Sequence, residues 1–258
     1  MSQLRQLRRN ETSTTCSDHE METRIDLAAC YRMTAEYRMA DQCNGFIGAR
    51  IKDDPAHYLT KPFGEFPEEV TASSLLKLPV RGDVVIGKGT DYNVAAIHMV
   101  QAVMQAHPEV GCVFHAHTKA TMVLSSLKTD LLPISQPAFM LYGKLAFSDF
   151  EFDCGPEFCT RLLHDLGNAK VMLMRNHGMF IAARDVPEAM FLAFSLDQAC
   201  TVQVEALQTR VEINVPDLQK VAVWSDQYAA NDHIPYDGSL EWPAILRKLD
   251  RKDPSFRN

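Results

Sequence analysis

Residues 170–183, KVMLMRNHGMFIAA, hold two apolar runs, Lys170–Met174 and Met179–Ala183, on either side of Asn176-His177-Gly178. The pattern reads as two strands joined by a tight hairpin turn, with Gly178 free to take positive φ. Upstream, Gly111–His115 is a buried-type strand rich in Val, Cys and Phe. Phe46–Ile51 and His57–Lys61 flank the turn Asp53-Asp54-Pro55 and predict an antiparallel pair, and Asp83–Ile86 reads as a third short strand. Helices are expected over His19–Met39, Asn93–Ala106, Thr118–Leu127, near Pro137–Leu141, and over Pro156–Leu166. Asp185-Val-Pro-Glu188 reads as a capping box that opens a long helix to about Gln208. Strands in the middle and helices on both sides, without regular βαβ alternation, favour a single α+β or three-layer domain over a doubly wound sheet.

The 258 residues are 46% apolar and 23% charged, the profile of an ordinary globular protein that needs no disulfide staples. Twenty-six Lys and Arg stand against 33 Asp and Glu, a formal charge of −7. That balance weighs against nucleic acid as a partner, since such binding rests on neutralising phosphates. No apolar run reaches the 18 or so residues of a membrane span, so no membrane partner is expected. Residues 1–20 are polar, lack the apolar core of a signal peptide, and read as a disordered arm. Residues 21–212 form the expected main domain, and 213–258 a helical extension that becomes irregular and ends in a basic tail, Arg247–Arg257. Seven scattered cysteines without a CxxC pair point to reduced thiols and a cytoplasmic location.

Nine histidines are somewhat plentiful for this length. Alternate residues on a strand share a face, so His115 and His117 project the same way where their strand ends. His177 lies at a second strand turn. Three imidazoles converging from two neighbouring turns make an open site for Zn²⁺ or Fe²⁺, with room for water or substrate. The spacing alone also fits core or hydrogen-bonding histidines. His19, His57, His107, His164 and His233 read as surface or cap residues, and Met172, Met174 and Met179 as core packing. Arg175 reads as a strand-end salt bridge. Gly87-Lys88-Gly89-Thr90-Asp91 matches no phosphate-loop pattern.

Three ordered motifs, Cys112–Ala120 (CVFHAHTKA), Leu131–Ser135 (LLPIS) and Leu173–Gly178 (LMRNHG), resemble the class II aldolase/adducin family. The likeness runs from about Asp26 to Gln208, and Pro62–Leu78 (PFGEFPEEVTASSLLKL) is similar to the adducin-like branch. The resemblance implies a three-layer α/β/α domain with a central, mostly antiparallel sheet, often assembled as a homo-oligomer. It also implies a catalytic divalent metal, zinc first and iron as the alternative, held by His115, His117 and His177.

The likeness breaks at the chemistry. Sugar-phosphate aldolases of the family carry an acid/base glutamate at the start of the helix before HxH; here its place falls near Val94. A carboxylate enolises a hydroxyketone beside a Lewis-acid metal, so the usual proton shuttle is missing. Asp91 is the nearest acid. The family's phosphate-binding positions fall at Gly45-Phe46, Phe63-Gly64 and Tyr92-Asn93. Phe46 and Phe63 supply no donors to a phosphate dianion, whereas Tyr92 supplies one. These aromatics either pack in the core or shape a pocket for a smaller, unphosphorylated or partly apolar carbonyl compound. Phe63, Gly64 and Asn93 are then the expected substrate-side residues. Tyr92 and His98 are the candidates for moving protons, His98 also for orienting a metal ligand.

Two readings of function follow. One is a metal-dependent, lyase-like enzyme acting on a small carbonyl or hydroxycarbonyl compound. The other is a non-catalytic, adducin-like oligomeric protein that binds the spectrin–actin cytoskeleton. In adducins that binding also depends on a neck and a long basic tail, and here only Arg247–Arg257 is basic.

Overall fold

The computed structural model describes residues 16–84, 92–231 and 233–258. Seven strands form one sheet: β1 (Phe46–Ile51), β2 (Asp54–Thr60), β3 (Leu76–Pro79), β4 (Cys112–Ala116), β5 (Leu145–Ser148), β6 (Val171–Met174) and β7 (Gly178–Ala183). Their order is β3-β2-β1-β4-β7-β6-β5. Every neighbouring pair is antiparallel except β5 with β6, which is parallel. The expected mostly antiparallel sheet is therefore present.

The period-two alternation of the strands sorts their side chains into two cores, one on each face. Ile47, Ala49, Phe114, Met179 and Ile181 meet Leu27, Cys30, Leu196 and Cys200 on one face. Those last four come from the helices α1 (Asp18–Glu36) and α6 (Val186–Thr209). The opposite face carries Phe46, Tyr58, Val113, Met172 and Phe180 against Ile97, Val100, Phe158 and Leu162. The helices there are α2 (Val94–Ala106) and α5 (Pro156–Leu166). Strands β4, β6 and β7 are buried along their whole length. Burial on both faces is why they read as unbroken apolar runs instead of alternating ones. Between them lie α3 (Lys119–Ser125) and α4 (Gln136–Leu141), and α7 (Leu218–Ala229) and α8 (Trp242–Lys252) follow.

Side-chain caps fix the helix starts. The Ser17 hydroxyl accepts from Glu20 N, the Asn93 side chain from Ala96 N, and the Asp185 carboxylate from Glu188 N. The expected capping box at Asp185 is half present. The Glu188 carboxylate reaches past Asp185 to accept from Arg184 N at 2.7 Å and from Lys170 Nζ at 2.6 Å.

Other expectations need correction. The third strand is Leu76–Pro79; of the expected Asp83–Ile86, Asp83 and Val84 lie in no strand, and Val85 and Ile86 lie outside the described residues. Strand β5 has no sequence signal, being four residues long and only partly buried. Helix α1 opens at Asp18, inside the expected arm, because Ser17 caps it there; residues 1–15 lie outside the described set. Within residues 213–258, expected as a helical extension and tail, Trp242, Leu249 and Phe256 enter the same core as Leu27 and Leu196. Trp242 also donates its indole N–H to Asp26 at 2.8 Å.

Phe256 is fully buried two residues from the C-terminus. Phe256→Ala is expected to cost about 3–5 kcal/mol in chemical denaturation, as for a core phenylalanine. A loss under about 0.5 kcal/mol, the size of a surface change, would mean that the segment is not part of the core.

Candidate metal centre

His115 stands one residue from the end of β4, and His117 follows that strand directly. Antiparallel pairing sets Ala116 opposite Met179 on β7, so the β6–β7 turn that carries His177 arrives beside the HxH pair. The turn takes its left-handed residue at Asn176, φ 56°, and not at Gly178 as the hairpin reading supposed. Glycine is required at 178 for a different reason. A Cβ there would stand 2.4 Å from the Ala116 carbonyl oxygen and 3.1 Å from His117 Cδ2. Only a residue without a side chain lets β7 start this close to β4.

The three imidazoles converge through their Nε2 atoms. His117 Nε2 lies 2.8 Å from His115 Nε2 and 2.8 Å from His177 Nε2. One ligand atom from each residue falls within 4.8 Å of the others. The far nitrogens explain the orientation. His115 Nδ1 donates to the Met179 carbonyl at 2.7 Å, and His117 Nδ1 donates to the Asp41 carboxylate at 3.1 Å. A carbonyl or an ionised carboxylate can only accept, so both Nδ1 atoms carry the proton, and in the neutral imidazole Nε2 then presents its lone pair. Two lone pairs facing each other at 2.8 Å repel; a cation between them turns the repulsion into ligation. The donor set therefore fits a divalent ion bound by three imidazoles.

Burial keeps the nitrogens of His115 and His177 in ligand form. Burial, then the neighbouring His117 and His177, push His115 well below its ordinary value. Burial, then His117, lowers His177 to about 4. The Phe150 and His177 rings stand nearly perpendicular, with centroids 5.0 Å apart.

A cleft on the α2 face adjoins the cluster through Phe46, whose ring centroid lies 5.1 Å from that of His115. Phe63, Tyr92, Asn93, Tyr58 and Lys61 help to line it. Of the sequence-derived substrate residues, Phe63 and Asn93 are therefore at the cleft, although the Asn93 side-chain oxygen is engaged in capping α2. Gly64 is exposed and is not among the lining residues. Tyr92 lines the cleft and is 42% exposed. His98 does not join the three histidines. It is exposed, and its Nδ1 bonds to the Cys154 carbonyl at 3.0 Å. Val94 begins α2 and points largely to solvent, 51% exposed; Asp91 lies outside the described residues. Arg175 forms the expected ion pair, with Asp130, and its guanidinium stacks on Phe147 at 4.0 Å.

Asp41 is the residue that sequence reading missed. It sits 76 positions before His117 in a segment without regular structure, where no spacing rule connects the two.

Residues 25–204 match the model of the class II aldolase and adducin N-terminal domain. The chain belongs to the class II aldolase/adducin family. It is 34% identical over 242 residues to a Pseudomonas aeruginosa protein assigned to aldolase class 2, covering 92% of this chain and 93% of that one. Mouse gamma-adducin is 32% identical over 88% of this chain, which spans only 34% of that adducin. Among solved structures, an aldolase II superfamily protein from Pseudomonas syringae superposes with a TM-score of 0.85 at 30% identity, covering 94% of this chain and 97% of that one. L-fuculose 1-phosphate aldolase from Glaciozyma antarctica superposes at 0.81 and 21% identity over 99% of both chains, a likeness of fold.

Two measurements check this geometry. Gly178→Ala is expected to destabilise the protein by at least about 1–3 kcal/mol through overpacking against Ala116; an unchanged denaturation midpoint would contradict the close approach. The second concerns pH. His115 and His177 stay neutral in the fold, while in the unfolded chain they take up protons near pH 6.5. Acidification of the metal-free protein from about pH 6.5 towards 4 therefore favours unfolding. A melting temperature that stays flat across that window would contradict the assignment.

Proposed function

We propose that the protein is a divalent-metal-dependent, lyase-like enzyme acting on a small carbonyl or hydroxycarbonyl compound that carries no phosphate. The observation that supports this most strongly is the convergence of the three Nε2 atoms, with the Nδ1 atoms of His115 and His117 turned to oxygen acceptors. His115, His117 and His177 hold the ion; zinc is the first choice and iron the alternative, since imidazole suits both. When bound, such an ion supplies Lewis-acid stabilisation to a carbonyl or enediolate oxygen.

The chain's own residues shape the rest. Phe46 and Phe63 present apolar walls where a phosphate needs donors. Lys61 also lines the cleft, but its ammonium already donates to the carbonyls of Cys43 at 2.8 Å and Glu65 at 3.0 Å. Tyr92 is a candidate at the cleft whose hydroxyl can hold or pass a proton. His98, bonded to Cys154, is the weaker candidate. A homo-oligomer fits the aromatic surface near the site, where Phe150 is 49% and Phe152 is 92% exposed. A cytoplasmic setting fits the seven free cysteines. Among the described residues, no helix is long and apolar enough to cross a membrane.

The adducin relatives support a second reading, an oligomeric scaffold that binds spectrin and actin. Metal analysis of the purified protein separates the two. The enzyme reading predicts about one zinc or iron per chain, lost in the variant with His115, His117 and His177 all changed to Ala. A wild-type protein that takes up neither metal, together with co-sedimentation on actin or spectrin at micromolar concentration, would favour the scaffold.

A further inference from the structure

His117 differs from its two neighbours in what holds its far nitrogen. His115 Nδ1 is fixed by a backbone carbonyl, and His177 Nδ1 is buried without a hydrogen-bond partner among the described residues. His117 Nδ1 meets a carboxylate, that of Asp41. The segment that presents this carboxylate is tightly constrained. Asp41 and Asn44 form an isolated antiparallel bridge, and Asn44 N donates to the Asp41 carbonyl at 2.8 Å. Between them Gln42 takes φ 50°, a left-handed conformation that a residue with a Cβ adopts only when its surroundings impose it. Lys61, nearly buried, donates to the Cys43 carbonyl from within the fold. Gly45 then brings the backbone against β4, where a Cβ would stand 3.0 Å from the His115 carbonyl oxygen. The Asp41 side chain is 43% exposed, yet it stands on a braced turn and not on a free surface loop.

We propose that Asp41 is the positioning residue for His117. Its carboxylate selects the imidazole tautomer with the proton on Nδ1, turns Nε2 towards His115 and His177, and raises the basicity of Nε2 as a ligand. The consequence for metal affinity rests on the metal-enzyme reading; the tautomer does not.

The test uses the full chain, stripped of metal with chelator, as wild type, Asp41→Ala and Asp41→Asn. Nitrogen-15 NMR of the histidine side chains is expected to show wild-type His117 with its proton on Nδ1. Asp41→Ala is expected to shift it to a mixture or to the Nε2–H form, and Asp41→Asn, whose amide oxygen still accepts, to restore the wild-type form. Competition with a chromophoric chelator is expected to show zinc held about 10–100-fold more weakly by Asp41→Ala, with a smaller loss for Asp41→Asn. Wild-type His117 protonated on Nε2 would overturn the proposal, as would an Asp41→Ala protein with the wild-type tautomer and zinc affinity within twofold. If the wild type takes up no zinc, the metal-enzyme reading falls, and the tautomer comparison still decides the role of Asp41.

Discussion

The close backbone approach between Gly178 and Ala116 is the constraint on which the site depends. It sets where β7 begins against β4, and so where His177 arrives relative to His115 and His117. The same pair of strands is clamped at its far end, where a Cβ on Gly111 would stand 2.1 Å from the Arg184 carbonyl oxygen. Between the clamps, five consecutive residue pairs run from Cys112–Ala183 to Ala116–Met179. The imidazoles are thus positioned by a sheet buried on both faces, and rigid elements hold ligand geometry better than loops do.

The site couples that rigidity to an electrostatic choice. Burial keeps His115 and His177 neutral, and acceptors on the Nδ1 atoms of His115 and His117 turn lone pairs inward. A cluster so arranged offers converging nitrogens to a cation. An L-fuculose 1-phosphate aldolase shares the fold, and the cleft beside this cluster is lined by Phe46 and Phe63.

Much of this was legible in the chain itself. Strand alternation put His115 and His117 on one face, and the apolar runs around Asn176-His177-Gly178 marked the hairpin that delivers the third imidazole. What stayed hidden depends on tertiary contact. The need for glycine at 178 comes from Ala116 on another strand, not from turn conformation. Asp41 reaches His117 across 76 residues. Glu188 completes no local box because Arg184 N and Lys170 offer it partners that only the folded chain brings close. Strand β5 is too short and too shallowly buried to announce itself, and the sheet edge at Leu76–Pro79 was read only as part of a motif.

The central claim is a divalent ion held by three imidazoles, and X-ray absorption at the zinc edge of the zinc-loaded protein tests it most directly. The account predicts about three histidine nitrogens at roughly 2.0–2.1 Å with an oxygen completing the shell. Sulfur scatterers at about 2.3 Å, or an all-oxygen shell without imidazole signals, would contradict it.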